Sequence, residues 1–359
     1  MESKKAIIAM SGGVDSSVAA FLMKDKGYNC IGATMKLYDN DDINIEKDKT
    51  CCSLSDIDDA RNVAYSLGME YYVFNFTDNF EKEVIDRFIN TYMCGGTPNP
   101  CIDCNRYIKF EKLMNRMYEL GYDYVVTGHY ARIEKDENTG RYLLKKGLDE
   151  SKDQSYVLYN MTQEQLSHTL FPLGEFTKTR IREIAEEKGF VNARKKDSQD
   201  ICFVPDGDYA SFIEKHCNMT FPEGDFVDKE GNVLGKHKGI IRYTVGQRKG
   251  LGLSLKSPMY VYDKDIENNR VILSDNESLF KTSLIADNMN WIEVEDITEP
   301  IRCKAKIRYK QKEADCVVTA EQDGKVKVTF DEPVRGITKG QAVVLYDGDI
   351  VVGGGTIIG

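Results

Sequence analysis

The sequence predicts an α/β protein in which a parallel-sheet domain is followed by a small central domain and a C-terminal β-barrel. In the first third, short apolar runs alternate with segments of helical periodicity, which is typical of a parallel sheet with helices on both faces. After Pro205 the texture changes, and Pro222–Gly252 is rich in glycine and charge. From about Asn269 short strand-like runs follow one another closely, as they do in a barrel. We therefore place the domains at 1–205, 206–275 and 276–359.

The elements of the first domain follow its apolar pattern. A buried strand, Lys5–Met10, leads into a helix whose apolar face carries Val14, Val18, Phe21 and Leu22. Further strands are predicted at Cys30–Leu37, Tyr71–Phe76 and Tyr124–Thr127. Helices are predicted at Ser55–Leu67, with Ser55 as N-cap, and at Phe80–Tyr92, Lys109–Leu120 and Thr177–Lys188. The later β pattern predicts strands at Arg270–Ser274, Ile301–Gln311, Ala314–Ala320, Lys325–Phe330 and Ala342–Tyr346.

Composition restricts the class of protein. The 359 residues are 41% hydrophobic and 30% charged, as in a soluble globular protein, and no run approaches the about 18 apolar residues of a membrane helix. With no signal-peptide pattern at Met1–Lys5, we expect a cytoplasmic protein without a membrane partner. Ten cysteines then indicate catalytic or metal-binding thiols in a reducing compartment. The net charge of −10 opposes indiscriminate nucleic-acid binding but allows a local basic surface.

A phosphate-binding loop is predicted at Ser11–Ser17 (SGGVDSS), between the first strand and the first helix. The glycines let the backbone approach an anion, and the first-turn N–H groups of the helix point at it. Asp15 is a candidate ligand for the Mg²⁺ that accompanies a polyphosphate. The loop lacks the lysine of a Walker A motif. The alternative is a corner that merely turns the chain, and the agreement of motif with context favours nucleotide binding.

Three cysteines are candidate reactive thiols. Cys101 and Cys104 form a C-x-x-C after the turn Gly95–Pro100 and before the predicted helix, and Cys202 lies much later. A helix N-terminus lowers the pKa of a thiol, whereas the neighbouring Asp103 opposes a second negative charge. Alone, the motif fits a redox pair, two inert thiols, or half a zinc site that His129 and Cys94 would complete. We assign simple packing to Cys30, Cys217, Cys303 and Cys316, and no role to Cys51 and Cys52.

A basic stripe is predicted on the barrel. In a strand, alternate residues share a face, which would align Arg302, Lys304, Lys306, Arg308, Lys310 and Lys312. Such a stripe suits a phosphate backbone, and the alternative is a solvated face paired with acids. We favour RNA. Further cations that would extend this surface are Lys236, Lys238, Arg242, Arg248 and Lys249.

Together these motifs resemble the tRNA-specific 2-thiouridylases of the PP-loop ATP pyrophosphatase superfamily. The resemblance covers nearly the whole chain and rests on SGGVDSS, TPNP with CNRYIKF, TGH at Thr127–His129, KDQSYVL at Lys152–Leu158, SQDICFV at Ser198–Val204 and YTVGQRKGLG at Tyr243–Gly252. It implies a Rossmann-like nucleotide-binding domain, a small central domain and a β-barrel. It also implies ATP-dependent 2-thiolation of the wobble uridine of tRNA, with sulfur supplied by a persulfide carrier or cysteine desulfurase.

By position, the resemblance implies a role for each matching residue. Cys104 matches the nucleophile and Cys202 the cysteine that carries the persulfide, and a Cys104–Cys202 disulfide is implied after sulfur transfer. The ATP contacts implied are Ala9, Met10, Ser11, Gly12, Gly13, Val14, Asp15, Ser16, Ser17, Met35 and Gly128. The target base meets Asn99, Pro100 and Cys101. The tRNA contacts implied are His129, Lys152, Asp153, Gln154, Arg308, Tyr309 and Gln341.

One position departs from the family pattern, because many members carry Asp where this chain has Cys101. A third thiol allows a 4Fe-4S cluster held by Cys101, Cys104 and Cys202, with the fourth iron open for sulfide. We favour a persulfide relay over this cluster. Two other functions compete: a PP-loop synthetase that amidates a small acid, which needs no reactive cysteine, and a non-catalytic zinc and RNA-binding protein, which leaves the phosphate loop unexplained.

Overall fold

The computed structural model describes residues 3–38, 54–195, 201–204 and 206–359. They form two compact units that are interleaved in the sequence. The first contains Met1–Ile85, Pro100–Gly207 and Gly348–Val352, and the second contains Asp86–Asn99, Asp208–Asp347 and Gly353–Gly359. Within the described residues, none of the helices has the length and apolarity needed to cross a bilayer.

The first unit is built on a parallel sheet, which confirms the predicted α/β fold. Its strands are β1 (Lys5–Ala9), β2 (Asn29–Lys36), β3 (Glu70–Asn75), β4 (Tyr124–Val126) and, completing the sheet, β7 (Thr169–Leu170). They lie in the order β3-β2-β1-β4-β7, and each neighbouring pair is parallel. Ala6–Ala9 of β1 is buried throughout, as expected for a central strand covered by helices on both faces.

Helices cover this sheet and supply much of its core. Val18 of the helix Val14–Asp25 and Ile181 of the helix Lys178–Glu187 are fully buried in the same apolar cluster as Ile8. An antiparallel hairpin, β5 (Ala131–Lys135) with β6 (Tyr142–Lys146), follows β4. The helices of this unit are α1 (Val14–Asp25), α2 (Leu54–Ser66), α3 (Thr77–Phe80), α5 (Pro100–Asp103), α6 (Leu113–Glu119), α7 (Gln163–Ser167) and α8 (Lys178–Glu187). Two stretches are wound more widely, with π-helical geometry: Glu81–Ile85 and Cys104–Lys112.

The second unit contains a small mixed sheet with two flanking helices, α4 (Asp86–Met93) and α9 (Tyr209–His216). The sheet order is β10-β11-β8-β9. Its core is aromatic, because Phe226 packs edge-on against both His237 and Tyr243. The strands are β8 (Gly224–Val227), β9 (Val233–His237), β10 (Tyr260–Asp265) and β11 (Arg270–Ser274).

The remaining strands form the predicted C-terminal barrel, and all of their residues except Ile350–Val352 belong to the second unit. They follow the order β12-β15-β14-β13-β16-β17, and pairing of β12 with β17 closes the barrel. Cys303 and Ala305 of β13 point to its buried interior. The strands are β12 (Phe280–Trp291), β13 (Ile301–Lys306), β14 (Ala314–Ala320), β15 (Val326–Arg335), β16 (Ala342–Asp347) and β17 (Ile350–Ile357).

Several predicted boundaries are wrong for identifiable reasons. The helix expected from Lys109 begins at Pro100, because a proline suits the first helical position, where its missing N–H costs nothing. The helix expected from Ser55 already includes Leu54, so Ser55 is not its N-cap. The strand expected over Ile301–Gln311 ends at Lys306, and a turn follows. The long first and last strands of the barrel were not predicted, since glycine and polar residues interrupt their apolar pattern.

Candidate active site

The phosphate loop connects β1 to α1 at the carboxyl edge of the sheet. Gly12 has φ +73°, and a Cβ there would lie 2.3 Å from the carbonyl oxygen of Asp56, so only glycine fits. Gly13 is the N-cap of α1 and offers no side chain to the first-turn amides. Instead, the Ser16 and Ser17 hydroxyls donate to the Gly13 carbonyl, at 3.0 and 3.1 Å. Gly13 therefore gives the first-turn N–H groups of α1 no side-chain cap, and the two serine hydroxyls bond a carbonyl instead.

A buried lysine from a distant helix completes this loop. The Lys178 ammonium lies 2.8 and 2.7 Å from the two carboxylate oxygens of Asp15, and the Tyr130 hydroxyl donates to Asp15 at 2.7 Å. Lys178 is only 8% exposed and opens α8, where its N–H donates to Asp149. Lys178 therefore places a positive charge beside the loop, although the SGGVDSS motif itself contains no lysine.

The opposite side of the loop is fixed by residues that precede Cys202. The Asn192 amide donates to the Gly12 carbonyl and to the Ser17 hydroxyl, both at 2.9 Å. The Lys195 ammonium contacts the same Gly12 carbonyl at 3.3 Å, and Asp56 and Asp59 at 2.5 and 2.7 Å. Burial alone would lower the pKa of Lys195, but its hydrogen bonds and proximity to the two carboxylates raise it above the ordinary value. Lys195 is therefore a fixed cation.

The predicted ATP contacts at the ends of β2 and β4 lie beside this loop. A Cβ on Gly128 would lie 2.8 Å from the Asp15 carbonyl carbon and 2.9 Å from the Ser16 nitrogen, so this glycine permits the close approach of β4. At the end of β2, the hydroxyl of Thr34, the neighbour of Met35, donates to the Met10 carbonyl at 2.5 Å. Residues at the ends of both strands therefore contact the backbone of Met10–Ser16.

His129 is an internal group. It is buried between Phe110 and Phe171, with ring centroids 6.0 and 5.7 Å away, and its Nδ1 lies 2.6 Å from the Thr127 hydroxyl. Burial, with the nearby Lys109 charge, holds the pKa of His129 well below its ordinary value. Among the described residues, no set of three ligand side chains with atoms within 4.8 Å includes His129, so the structure offers no support for the zinc site.

Cys101 and Cys104 lie within the first turns of a continuous helical segment, not before one. Cys101 is exposed and Cys104 half-buried. The adjacent Asn105 is buried and its amide donates to the Val157 carbonyl at 2.9 Å, which anchors this segment to Ser155–Leu158. The Cys104 side chain is therefore carried on a backbone that is fixed by this contact.

Cys202 is anchored to the same part of the first unit. Its carbonyl accepts a hydrogen bond from the Tyr38 hydroxyl at 3.1 Å, just beyond the carboxyl end of β2. The next residue, Phe203, is buried and packs edge-on against Phe80, with ring centroids 5.7 Å apart. Phe80 belongs to α3, which also contacts the helical segment that begins at Cys104. The two cysteine segments thus share one helical support.

The Lys152–Gln154 segment shapes the loop next to Tyr130. Asp153 is buried and accepts hydrogen bonds from the Gly147 and Ser155 N–H groups, each at 3.1 Å. The Gln154 side chain accepts from the Tyr130 N–H at 3.0 Å, and Lys152 is half-buried. Gln154 therefore supports Tyr130, the residue that contacts Asp15, while Asp153 fixes the backbone on either side of it.

In the second unit, two of the predicted tRNA contacts, Arg308 and Gln341, make hydrogen bonds to other residues of the protein. The Arg308 guanidinium donates to the Gly336 carbonyl at 2.7 Å, the Thr338 hydroxyl at 2.8 Å and the Val245 carbonyl at 3.2 Å. The Gln341 amide donates to the Thr97 carbonyl at 2.8 Å. Tyr309 and Asn99 are half-buried.

The six-cation stripe is wrong in length because β13 ends at Lys306. Arg302, Lys304 and Lys306 share its outer face, whereas Arg308, Lys310 and Lys312 lie in or beside the following turn. Arg302 also forms an ion pair with Asp331, and Lys304 stands opposite Asp315 on β14. The acid-paired alternative therefore holds for Arg302.

Comparison with known proteins identifies the family. Residues 4–206 match the tRNA methyl transferase HUP domain, 210–275 its PRC-barrel domain and 281–357 the aminomethyltransferase beta-barrel domain. The tRNA-specific 2-thiouridylase MnmA of Clostridioides difficile is 55% identical over 99% of this chain and 98% of its own length. The Acetivibrio thermocellus and Clostridium acetobutylicum enzymes of that name are 55% and 53% identical over 99% of this chain and 100% and 99% of theirs. This chain belongs to the tRNA-specific 2-thiouridylase family.

As a member of that family, the chain is an ATP-using enzyme of tRNA modification. Solved structures match more distantly. A 4-thiouridine synthetase–RNA complex with ATP aligns at TM-score 0.35 and 18% identity, covering 59% of this chain and 50% of that one. The U34-tRNA thiolase NcsA of Methanococcus maripaludis aligns at TM-score 0.35 and 21% identity, covering 60% and 68%.

Four residues that contact the phosphate loop were not predicted from the sequence. Tyr130, Lys178, Asn192 and Lys195 reach the loop from positions 115 to 183 residues away. Only one signal pointed to any of them, because Lys178 follows Thr177, which was predicted to begin a helix and is its N-cap. The chemistry of a local motif gives no indication of such distant partners. Residues 39–53, which include Cys51 and Cys52, lie outside the described part.

Proposed function

We propose that this enzyme replaces the oxygen at ring position 2 of the wobble uridine of tRNA with sulfur, and consumes ATP to do so. One observation carries the proposal. The phosphate loop follows β1 and the Cys202 anchor Tyr38 follows β2, and these are adjacent parallel strands. Their carboxyl ends share one sheet edge, where α/β proteins bind ligands. Activation of a substrate and delivery of sulfur can therefore be served from one edge.

The first step would be adenylylation of the uridine. The base leaves its stack, and its carbonyl oxygen attacks the α-phosphorus of ATP while pyrophosphate leaves. Ala9–Ser17, with Met35 and Gly128, would bind the nucleotide, and Lys178 would stabilise the charge on the departing pyrophosphate. Mg²⁺ fits Asp15, which accepts three hydrogen bonds of the about four that a carboxylate can accept. When bound, Mg²⁺ would neutralise polyphosphate charge.

The second step would transfer sulfur. A persulfide on Cys202, loaded by a carrier protein or a cysteine desulfurase, attacks ring carbon 2 with its terminal sulfur, and AMP leaves with the original oxygen. The Cys104 thiolate then attacks the inner sulfur of Cys202. The bond between the two persulfide sulfurs breaks, 2-thiouridine is released, and a Cys104–Cys202 disulfide forms, which an external dithiol reduces. Asn99, Pro100 and Cys101 would receive the base.

Iron content tests the alternative sulfur chemistry. A 4Fe-4S cluster would need thiolates from Cys101, Cys104 and Cys202. Their burial differs, since Cys101 is exposed and the other two are half-buried, and a relay requires only the latter pair. We expect the protein, purified without oxygen, to contain far less than one cluster per chain by iron and sulfide analysis. A stoichiometric cluster whose removal abolishes thiolation would replace the relay.

The function itself is tested by pyrophosphate release and nucleoside analysis. With ATP, Mg²⁺, unmodified tRNA and a cysteine desulfurase that supplies persulfide sulfur from cysteine, we expect pyrophosphate release that depends on tRNA, and 2-thiouridine at the wobble position by mass spectrometry. Pyrophosphate release with a small acid and without tRNA would identify an amidating synthetase instead. RNA binding without any ATP consumption would identify a binding protein.

Charge reversal on β13 tests the proposed RNA surface. In the K304E/K306E variant, two outward cations become anions, so we expect weaker tRNA binding. The slope of log affinity against log salt should also fall by about 0.7–0.9 for each phosphate that the variant no longer neutralises. Binding is measured by filter retention across a salt series.

The control for this surface is K325E/K327E, which has the same spacing and net charge change on the same barrel. It alters β15 and the residue before it, two strands away from β13. Equal weakening of binding in both variants would show that net charge alone accounts for the effect.

A further inference from the structure

One peptide group of the phosphate loop, between Gly12 and Gly13, is bonded by residues from far along the chain. The Asn192 side-chain amide donates to the Gly12 carbonyl at 2.9 Å, and the Lys195 ammonium donates to the same oxygen at 3.3 Å. The two donors follow the helix Lys178–Glu187 and lie 180 and 183 residues after Gly12. The direction of this carbonyl is therefore set by two side chains of one later segment.

The direction of the Gly12 carbonyl determines the direction of the Gly13 N–H. In a trans peptide the C=O and N–H bonds of one group point in opposite directions. Because Asn192 and Lys195 lie on the carbonyl side, the Gly13 N–H points away from both of them. Gly12 has φ +73°, and glycine moves between backbone conformations at little cost. The bonds to its carbonyl therefore select one orientation of a peptide that could otherwise rotate.

Asn192 also connects this peptide to the first turn of α1. Its amide nitrogen donates a second bond to the Ser17 hydroxyl at 2.9 Å, and that hydroxyl donates to the Gly13 carbonyl at 3.1 Å. The nitrogen must face the Gly12 carbonyl, since that oxygen can only accept. Asn192 is 3% exposed, and within the described part of the chain its Oδ1 has no hydrogen-bond partner. Asn192 therefore acts only as a donor, and both of its bonds go to the phosphate loop and the helix start that follows it.

Two acids of α2 fix the position of Lys195. Its ammonium lies 2.5 Å from an Asp56 carboxylate oxygen and 2.7 Å from an Asp59 oxygen, and these residues are three apart on one helix face. A Cβ on Gly12 would lie 2.3 Å from the Asp56 carbonyl oxygen, so α2 packs directly against the loop. One cation between two anions leaves the cluster negative, and a polyanion is not attracted to it. What Lys195 contributes is its position rather than its charge.

We propose that Asn192 and Lys195 are positioning residues for ATP and do not touch the nucleotide. By fixing the Gly12 carbonyl, they direct the Gly13 N–H toward the polyphosphate. This proposal rests on the proposed function, in which ATP binds this loop. The competing explanation is that Lys195 binds phosphate directly, as the lysine of a Walker A loop does.

ATP affinity tests the proposal without turnover. N192L removes both donated bonds with little change in size, and K195M removes the ammonium with little change in length. We expect each variant to raise the ATP dissociation constant at least about tenfold, because one hydrogen bond to a charged phosphate is misplaced. Binding is measured by equilibrium dialysis with Mg²⁺ and without tRNA. Adenosine, which offers the loop no phosphate, should bind the variants and the unaltered enzyme equally well.

The two side chains bond one oxygen, so their effects should overlap. N192L/K195M should weaken ATP binding by less than the product of the two single effects. R194M is the matched control, because it removes a positive charge from the neighbouring residue, whose side chain is 91% exposed. It should bind ATP as the unaltered enzyme does.

D59N separates positioning from direct contact. If Lys195 bound phosphate, loss of the Asp59 charge would release the ammonium for this contact, and ATP would bind more tightly. D58N is the control, since it removes the same charge from an exposed neighbour on α2 that pairs with Arg61. We expect D59N to bind ATP no more tightly than D58N does.

Three results would overturn the proposal: tighter ATP binding by D59N than by D58N, unchanged ATP affinity in N192L and K195M, or equal losses of ATP and adenosine affinity. The last result would indicate a general structural role, which thermal melting of each variant would also reveal. If one variant does not fold, the remaining ones decide, because all of them act on the same peptide. Intact ATP binding without tRNA-dependent pyrophosphate release in the unaltered enzyme would refute the proposed function alone.

Discussion

The C202S variant is expected to lose 2-thiouridine formation while it retains tRNA-dependent pyrophosphate release. A serine hydroxyl cannot carry a persulfide, whereas adenylylation needs only ATP, the base and the phosphate loop. The substitution keeps two contacts that anchor this segment, the Cys202 carbonyl with Tyr38 and the Phe203 ring with Phe80, so we expect the fold to be retained. Thiolation is measured by mass spectrometry of digested tRNA and adenylylation by pyrophosphate release.

Two further cysteine variants sharpen this result. C104S should accept sulfur on Cys202 but fail to release product, so the uridine should remain linked to Cys202 through a disulfide that reductant cleaves. C217S changes a half-buried cysteine of the second unit and should behave as the unaltered enzyme. Full thiolation by C202S would exclude the relay.

The sequence predicted the part of this site that is continuous along the chain. A strand, a glycine turn and a helix start are adjacent in Lys5–Asp25, so local rules predict this strand–turn–helix connection correctly. Lys178 and Lys195 could not be placed, because each reaches the loop through tertiary packing of a later segment. The same applies to Cys202, whose anchor Tyr38 lies 164 residues earlier.

Errors concentrated where tertiary structure overrides a local pattern. Alternation of charge and apolar residues continues past Lys306, yet β13 ends there, because Arg308 turns back to bond the carbonyls of Val245 and Gly336. The helix that begins at Pro100 includes a wide turn over Cys104–Lys112, which helical periodicity of 3.6 residues does not reveal. Alternation of charged and apolar residues shows which side chains share a face of a strand. It does not show the residue at which the strand ends.

The K178M variant is expected to slow adenylylation by two to three orders of magnitude. Removal of one preorganised donor from a site of developing charge costs about 10²–10³ in rate. Lys178 is buried beside the phosphate loop, so neither water nor an exposed lysine replaces its charge. Pyrophosphate release at saturating ATP gives the rate. K188M, at the exposed end of the same helix, is the matched control and should leave the rate unchanged.

The pairing of Lys178 with Asp15 raises a second explanation, which a double variant separates. If Lys178 only neutralises Asp15, then D15N should make Lys178 dispensable, and D15N/K178M should be no slower than D15N. If Lys178 also stabilises pyrophosphate, then K178M should slow the D15N enzyme further, because its charge would be missing at the leaving group. We expect the second result, since the ammonium contacts Asp15 in the first turn of α1, where the phosphates would lie. Equal rates for D15N and D15N/K178M would restrict Lys178 to the support of Asp15.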